Sequence, residues 1–276
     1  MTVTLDQFYT APAIAKQCLT ELRSTIRFCD YSWLEPSAGA GAFYGLLPNG
    51  SIGVDLDPKF PGVLQHDFLT FKIPATTKQL GTIGNPPFGK RSRLAVKFFN
   101  KAALSSKVIA FVVPLQFRKW SVQKQLDTRF RLVSDTLLPE EAFICNNKPY
   151  RVRCCFQIWV CNTAKRGVNL RILSAPAIAH PDFEMWQYNY TKEAEKFFHK
   201  PFTFAIPRQG FSDYSRRETN QKNCERTTQW MLVKANSKKA EKILRNIDYA
   251  KLAKSNTTTP GFGKADLVKE YERCLT

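Results

Sequence analysis

Thr82-Ile-Gly-Asn-Pro-Pro-Phe-Gly89 places two prolines directly after an apolar run. Because proline has no backbone N–H and cannot continue a central ladder, the run is predicted to be a strand that ends in a rigid, extended turn. This turn offers two acceptors, the Asn85 side-chain oxygen and the Pro86 carbonyl, beside an aromatic ring. Two acceptors can bind both hydrogens of an exocyclic amino group, while a ring stacks on the base that carries it. We therefore predict a catalytic turn of Asn85, Pro86, Pro87 and Phe88.

Polar side chains also follow three strands that the sequence predicts upstream of this turn. A short apolar strand ending at Leu34 leads into the Gly/Ala-rich stretch Glu35-Pro-Ser-Ala-Gly-Ala-Gly-Ala42, whose small residues let a ligand approach the backbone closely. Ser51-Ile-Gly-Val-Asp-Leu-Asp57 is a second strand that ends in a carboxylate suited to a ribose diol. Gln65-His-Asp-Phe-Leu69 brings an acid and an aromatic ring to the next junction. Since open α/β sheets bind ligands at the carboxyl edge of their strands, one ligand site is predicted there.

Apolar runs alternate with helix-spaced apolar residues along residues 10–161. Thr10 followed by Pro12 indicates a helix cap and a first helical turn. The pattern predicts an α/β, Rossmann-like sheet of about seven strands with helices on both faces, ending in a hairpin-like pair. The polar stretch 143–151 is interpreted as a loop.

The pattern of apolar and polar residues in the sequence changes at residue 164. Residues 1–163 are predicted to be a catalytic domain, and residues 164–276 a small α+β extension that packs on the core and contributes to nucleic-acid binding. Within the extension, residues 170–172 and 202–206 are predicted strands, and a segment rich in Trp and Tyr lies between them.

Composition limits the partners of the chain. Its 276 residues carry 41 Lys and Arg against 23 Asp and Glu, a formal net charge of +18 that is spread over both halves. Phosphate contacts and counterion release make a polyanion the expected partner of such a surface. A hydrophobic content of 43% is enough for a packed core and argues against disorder.

The remaining composition favours an intracellular protein. The eight cysteines form no CxxC pair and no histidine lies at metal-ligand spacing, so free thiols and no metal site are expected. No uncharged apolar run approaches the length of a membrane span, so no membrane association is expected. We expect a cytoplasmic location, in a bacterial or phage-infected cell.

Taken together, the motifs resemble those of S-adenosylmethionine-dependent N6-adenine methyltransferases of the gamma arrangement, in which the cofactor motifs precede the catalytic tetrapeptide and target recognition follows. Asp6-Gln-Phe-Tyr-Thr10 is similar to the first cofactor motif of that family, and Leu34-Glu-Pro-Ser-Ala-Gly-Ala-Gly-Ala-Phe43 to its glycine-rich loop. Gly53-Val-Asp55 is similar to its ribose-binding strand end, and His66-Asp-Phe68 to its contact with the cofactor adenine. Residues 84–97, 149–159 and 264–271 further resemble small methyltransferases of phages and large DNA viruses.

The resemblance implies S-adenosylmethionine as the cofactor and the N6 amino group of adenine in DNA as the methyl acceptor, with the target base flipped out or single-stranded. Phe88 in place of the family's tyrosine keeps the stacking face and loses a hydroxyl. The cofactor-binding residues implied are Phe8, Tyr9, Thr10, Glu35, Pro36, Ser37, Gly39, Gly41, Asp55, Asp67, Phe68 and Asn85.

Further residues are candidates for substrate binding. Phe143 and Tyr150 precede a predicted strand where the family places a second aromatic ring against the base. Basic residues directly after the catalytic turn, and others in the polar stretch of the extension, are candidate phosphate contacts: Lys90, Arg91, Arg93, Arg208, Arg216 and Arg217.

Other functions compete with methylation of DNA. The same tetrapeptide occurs in methyltransferases that act on RNA adenine and on protein glutamine, and a glutamine acceptor would not explain the charge of +18. A non-catalytic basic protein that binds nucleic acid would be expected to have degraded motifs, whereas both the cofactor loop and the tetrapeptide are intact. The expected partner is nucleic acid, with DNA favoured and RNA as the alternative, and the expected state is a monomer or a weak dimer.

Overall fold

The computed structural model describes residues 9–75, 78–145, 148–161, 167–210 and 213–275, which form two compact units. The first unit ends at Leu173 and the second begins at Ser174. The described strands of the first unit are β1 (Tyr9–Thr10), β2 (Tyr31–Glu35), β3 (Ile52–Asp55), β4 (Leu64–Gln65), β5 (Gln79–Gly84), β6 (Ser106–Pro114), β7 (Phe130–Leu137), β8 (Phe143–Cys145), β9 (Lys148–Tyr150) and β10 (Cys154–Cys161). Its described helices are α1 (Pro12–Thr25), α2 (Arg93–Ala103) and α3 (Trp120–Gln123).

Among the described residues of the first unit, seven strands form one sheet in the order β4-β3-β2-β5-β6-β10-β7. The neighbours from β4 to β6 pair in parallel, whereas β10 pairs antiparallel with both β6 and β7. The strand order reverses between β2 and β5, which lie side by side with Leu34 opposite Thr82. The Rossmann-like fold class expected from the sequence is confirmed.

Strand β6 shows why both faces of this sheet are covered by helices. Its sequence is almost continuously apolar, as expected for a strand buried on both sides. Side chains alternate across a strand, so Ala110 enters the same hydrophobic cluster as Leu19 of α1, while Phe111 joins Phe99 of α2. All four side chains are buried. None of the described helices is long and apolar enough to cross a membrane.

A second, three-stranded sheet of the first unit joins β1 to the hairpin β8-β9. Thr10 pairs with Phe143, and the prediction of a loop over residues 143–151 was therefore wrong. Thr10 is also not the cap of α1: Ala11 holds that position without a side-chain hydrogen bond. The helix begins at Pro12, whose missing N–H would have had no partner in the first turn.

The strand predicted at residues 170–172 is absent from the structure, and the side chain of Arg171 anchors this segment within the first unit. Its guanidinium group donates hydrogen bonds of 2.7–2.9 Å to four backbone carbonyls, those of Gln123, Leu126, Asp127 and Phe130. Burial lowers the pKa of this arginine, and four accepting carbonyls offset the cost of burying its charge.

The second unit has its own sheet and core. Its described strands are β11 (Phe183–Tyr188), β12 (Phe204–Gln209) and β13 (Gln229–Ala235), and its described helices are α4 (Lys192–Glu195), α5 (Lys238–Asn246), α6 (Tyr249–Ser255) and α7 (Lys264–Leu275). The strands pair antiparallel in the order β11-β13-β12. One face packs against α5, α6 and α7, and the other forms a separate cluster around Tyr188, Phe198 and Trp230. The Trp/Tyr-rich segment is thus an edge strand.

Candidate cofactor and acceptor site

The site lies where the strand order of the large sheet reverses, at the carboxyl ends of β2 and β5. The two loops that leave these strands are joined by the Ser37 hydroxyl, which donates a 2.9 Å hydrogen bond to the backbone carbonyl of Asn85. Between them is a cleft of about 910 Å³, measured out to its open mouth. The cleft is lined by Tyr9, Thr10, Glu35, Pro36, Ser37, Ala38, Gly39, Ala40, Ala42, Phe43, Asp55, Leu56, Asp57, His66, Asp67, Phe68, Asn85, Pro86, Pro87, Phe88 and Phe98.

The Gly/Ala-rich loop after β2 exposes bare backbone to the cleft. Gly39 and Gly41 have φ values of +48° and +79°, a region that side chains disfavour. A Cβ atom at Gly39 would lie 2.8 Å from the Tyr9 ring, and one at Gly41 would overlap the Phe60 ring. Both glycines are therefore required by conformation and by space, although Gly41 does not itself line the cleft.

Asp55, the last residue of β3, is held by the same loop. One carboxylate oxygen accepts a 2.7 Å hydrogen bond from the Gly39 N–H, and the other a 2.8 Å bond from the Asp57 N–H. Each oxygen of an ionised carboxylate has a further acceptor position. The carboxylate is thus fixed in orientation while it can still receive the hydroxyl groups of a sugar.

The loop after β4 supplies the next wall. Asp67 uses one oxygen to accept a 2.9 Å bond from the Leu69 N–H, which fixes the turn. Phe68 is buried and its ring contacts that of Phe98 from α2 at a centroid distance of 5.2 Å. An apolar wall beside an acceptor oxygen suits a flat heterocycle that carries amino groups.

The Thr10 hydroxyl oxygen and one carboxylate oxygen of Glu35 are buried in this cleft and have no hydrogen-bond partner among the described residues. Their residues are only 5% and 2% exposed. Burial raises the pKa of Glu35 well above its ordinary value, the N–H of Tyr44 opposes that shift, and Asp55 adds to it. An unsatisfied buried carboxylate is costly, so a cationic or hydrogen-donating ligand would be stabilised here.

The proline turn forms the opposite wall. Asn85, Pro86, Pro87 and Phe88 all line the cleft, as do the Thr10 and Glu35 side chains. Phe88 is half-buried and meets the ring of Phe143 edge to face, with centroids 6.4 Å apart and planes at 86°. Most of the described residues predicted for cofactor binding therefore share one cavity with the predicted catalytic turn.

The candidate substrate residues of the first unit differ in accessibility. Phe143 is fully buried and packs behind Phe88. Its position therefore does not support a role as the second ring that stacks on the base. Tyr150, at the end of the same hairpin, is 40% exposed. Lys90, Arg91 and Arg93 are all exposed just beyond the proline turn.

The three arginines of the second unit are engaged in structural contacts, because each of them donates several hydrogen bonds within that unit. Arg208 donates to the Phe262 carbonyl at 3.1 Å and to the Gln229 side chain at 2.8 Å. Arg216 forms ion pairs with Glu218 and Glu225.

Arg217 donates to the carbonyls of Tyr214, Ser215, Arg216 and Ile247, and lies 4.3 Å from the Tyr249 ring centroid. Burial lowers the pKa of both Arg208 and Arg217. A phosphate contact by Arg208, Arg216 or Arg217 has no support from these positions.

Several cleft residues were not predicted from the sequence. Phe98 lies on a helix whose apolar spacing indicates only a core face, and Phe43 and Leu56 belong to quoted motifs in which no role was predicted for them. His66, which belongs to the quoted adenine-contact motif but not to the predicted binding residues, is exposed at the rim with its ring nitrogen 2.9 Å from the Asp67 carbonyl. Phe8, a predicted cofactor contact, lies outside the described residues.

No protein-family model and no curated protein matches the chain. Among solved structures, similar chains include a candidate RNA methyltransferase from Pyrococcus horikoshii (20% identity, 58% of this chain and 89% of that chain, TM-score 0.46). They also include a candidate class I S-adenosylmethionine-dependent methyltransferase from Listeria monocytogenes (17% identity, 60% of this chain and 64% of that chain, TM-score 0.45). A modification subunit of a candidate type I restriction enzyme from Vibrio vulnificus is similar over 58% of this chain and 46% of that chain (14% identity, TM-score 0.40). At these identities and TM-scores the similarities carry no information about the substrate.

Proposed function

We propose that this protein is an S-adenosylmethionine-dependent methyltransferase that transfers a methyl group to the N6 amino group of adenine in DNA. The observation that carries the proposal is the shared cavity: an unsatisfied carboxylate oxygen of Glu35 and the Asn85-Pro-Pro-Phe88 turn line the same cleft. One half of that cavity suits a cationic nucleoside, and the other suits a planar base with an amino group.

The residues present fit the cofactor. Glu35 and Thr10 would receive its charged amino-acid portion, which would remove the cost of two buried, unsatisfied oxygens. Asp55 would hold the ribose hydroxyls, and Asp67 with Phe68 would hold the adenine ring. When bound, S-adenosylmethionine supplies an electrophilic methyl group on a positively charged sulfur.

The acceptor residues supply positioning and electrostatics. An adenine amino group is a poor nucleophile because its lone pair is delocalised into the ring. If the Asn85 amide oxygen and the Pro86 carbonyl accept its two hydrogens, the nitrogen becomes more pyramidal and positive charge is stabilised as it develops. The proton can leave after transfer, so a strong base is not required beforehand.

DNA is favoured as the polymer for two reasons. The charge of +18 suits a phosphate backbone, and Lys90, Arg91 and Arg93 lie exposed just beyond the acceptor turn. Extruding a base from a duplex costs on the order of a few kcal/mol, and stacking on Phe88 offsets part of that cost. A single-stranded target avoids most of it.

The test is methyl transfer from labelled S-adenosylmethionine to duplex DNA, single-stranded DNA and RNA in parallel, followed by digestion to nucleosides. We expect N6-methyldeoxyadenosine from wild type and a loss of at least about a hundredfold with Asn85→Ala, because an electrostatic contact in the transition state is removed. Asn246→Ala, at an exposed helix end of the second unit, is the matched control. Cofactor affinity, measured by calorimetry, should be unchanged in Asn246→Ala and should fall far less than methyl transfer does in Asn85→Ala.

Other outcomes would replace the proposal. N6-methyladenosine from RNA alone would preserve the site chemistry and change the substrate to RNA. Transfer to neither polymer, with cofactor bound, would direct the search to glutamine side chains of proteins. Nucleic-acid binding without cofactor binding would identify a non-catalytic binding protein.

A further inference from the structure

The second unit exposes aromatic rings and ammonium groups together on one face of its sheet. We call this surface the aromatic platform and define it by Trp186, Tyr190, Phe197, Lys196 and Lys200. Tyr190 is 51% exposed, Trp186 and Phe197 are half-buried, and both lysines are exposed.

The platform packs on the smaller hydrophobic cluster of the second unit. Tyr188 is buried on β11 and meets the Tyr190 ring edge to face at 6.0 Å. It also contacts Phe198 at 4.7 Å and lies opposite Trp230 of β13. Trp186 belongs to the same face, because it precedes Tyr188 by two residues on one strand. The exposed rings therefore extend a packed aromatic cluster to the surface.

The lysines lie directly over these rings. The Lys200 ammonium is 5.0 Å from the Trp186 ring centroid, and the Lys196 ammonium is 5.7 Å from that of Phe197. Among the carboxylates close by in the sequence, Glu184 and Glu195 are each already held in an ion pair, and Glu193 is exposed on α4. The ammonium groups thus lie over the ring faces themselves, and their flexible side chains would let them move to the phosphates of a strand that stacked its bases there.

The backbone conformation of Tyr190 is unusual for an aromatic residue and suggests a role for its ring. Its φ is +66°, a region that costs an aromatic residue free energy and that glycine or asparagine would occupy more easily. In this conformation the Tyr190 ring makes its edge-to-face contact with Tyr188 and so joins the platform.

From these observations we propose that the aromatic platform binds single-stranded nucleic acid by stacking bases on Trp186 and Tyr190. Aromatic rings stack on any base and favour unpaired strands, in which the base faces are accessible. A cation–π contact at an exposed site is weaker than base stacking, so a base on Trp186 displaces the Lys200 ammonium group toward the neighbouring phosphate. The inference rests on the proposed function for the choice of a nucleic acid and adds a second place of contact, in the second unit.

The test is equilibrium binding of the full chain to a labelled oligonucleotide about 20 nucleotides long, read by fluorescence anisotropy. Its arms are single-stranded DNA, RNA of the same sequence, the DNA duplex, and an abasic strand of the same length. We expect single strands to bind more tightly than the duplex, and the abasic strand to bind about tenfold or more weakly. Comparison of the DNA and RNA arms identifies the natural strand.

Variants separate stacking from charge and from folding. Trp186→Leu and Tyr190→Ser should each weaken single-strand binding about tenfold, whereas Trp186→Phe should restore most of it because a stacking ring returns. Lys251→Gln removes the same charge as Lys200→Gln, but from α6 on the opposite face of the sheet, and should change binding less than Lys200→Gln does. Circular dichroism and the melting temperature check that each variant is folded.

The inference is overturned if the two ring variants are folded and bind single strands within about twofold of wild type, or if the abasic strand binds as tightly as the normal one. Because anisotropy does not require methyl transfer, the two proposals can fail separately. Methyl transfer with unchanged binding in the ring variants would retain the enzyme and remove the platform. Ring-dependent binding without transfer to any polymer would retain the platform and remove the enzyme. If the platform bound a protein and no oligonucleotide, it would be a protein-binding surface.

Discussion

The Ser37 hydroxyl donates a 2.9 Å hydrogen bond to the backbone carbonyl of Asn85, and thereby ties the cofactor-side loop to the acceptor turn. Ser37 follows β2 and Asn85 follows β5, two strands that lie side by side at the point where the sheet order reverses. A single side chain thus bridges the two loops that the proposed reaction must bring together.

Ser37→Ala should slow catalysis through position rather than through chemistry. Loss of this bond leaves the Asn85 carbonyl without that donor, and we expect kcat to fall about tenfold while the affinity for S-adenosylmethionine changes less than threefold. Single-turnover transfer and calorimetry measure the two quantities. Ser51→Ala is the matched control, because Ser51 also donates to a loop carbonyl, that of Pro48, away from the acceptor turn. Equal losses in both variants would contradict the positioning role.

Glu35→Gln should change how the stability of the ligand-free protein depends on pH. Burial raises the pKa of Glu35 above its ordinary 4.5, so the folded chain retains a proton that the unfolded chain releases. The free energy of unfolding therefore falls as the pH rises above about 4.5, by up to about 1.4 kcal/mol per pH unit, until the folded-state pKa is reached. Glutamine does not titrate, so the gain of the variant over wild type should increase with pH. Urea unfolding between about pH 5 and 8 measures it.

The same variant tests the role proposed for Glu35 in the cofactor site. A cationic ligand should stabilise wild type more than Glu35→Gln, with affinity lower in the variant by roughly ten- to a hundredfold, because a charge-assisted bond is lost. Equal affinity for S-adenosylmethionine in both proteins would remove Glu35 from the binding site.

Gly41→Ala should destabilise the fold for two separable reasons. A side chain at φ +79° costs about 1–2 kcal/mol, and overlap with the Phe60 ring adds about 1–3 kcal/mol. Gly50→Ala is the matched control, since Gly50 has φ +85° and no heavy atom within 4 Å of the new Cβ, so only the first cost applies. Urea unfolding should also show that adding Phe60→Ala to Gly41→Ala removes the cost of the overlap but not the cost of the positive φ. An equal loss in both glycine variants would show that Phe60 moves away without penalty.

Arg91→Gly should stabilise the protein and weaken its binding to nucleic acid. Arg91 and Ser92 have φ values of +56° and +59° in a turn just beyond the acceptor loop. Relief of about 1–2 kcal/mol of strain at Arg91 exceeds the roughly 0.5–1 kcal/mol entropic cost of a glycine. Chemical unfolding measures the gain, and the salt dependence of DNA binding measures the lost phosphate contact. Lys97→Gln on α2 removes an equal charge as a control. Unchanged salt dependence in Arg91→Gly would place Arg91 outside the DNA contact.

Motifs whose chemistry is local could be predicted from the sequence. Glycines with positive φ, an acid at the end of β3 and a proline turn after β5 each depend on a few consecutive residues, and the parallel sheet then brings these ends together. The hairpin at residues 143–150 could not be predicted in this way, because it pairs with Tyr9 and Thr10, which are far away in the chain. Its polar, Pro-containing sequence is typical of a loop.

The environment of a side chain was harder to predict than its position. Arg217 lies in the most polar stretch of the second unit, yet its guanidinium group satisfies carbonyls such as that of Ile247 inside the unit. Phe143 has an aromatic side chain of the kind that stacks on a base, but it is buried behind Phe88. Local composition does not distinguish a buried side chain from an exposed one when the partners are non-local.

Strand β1 links the proposed cofactor site to the acceptor turn, and this link bears on the order in which the two substrates bind. Tyr9 lies against the glycine loop, Thr10 turns an unsatisfied hydroxyl into the cleft, and Thr10 also pairs with Phe143, which packs on Phe88. An occupant that binds the Thr10 hydroxyl would fix β1, and through it the hairpin that supports the acceptor ring. The methyl donor would then enter before the base, and the order of substrate addition would be compulsory rather than random.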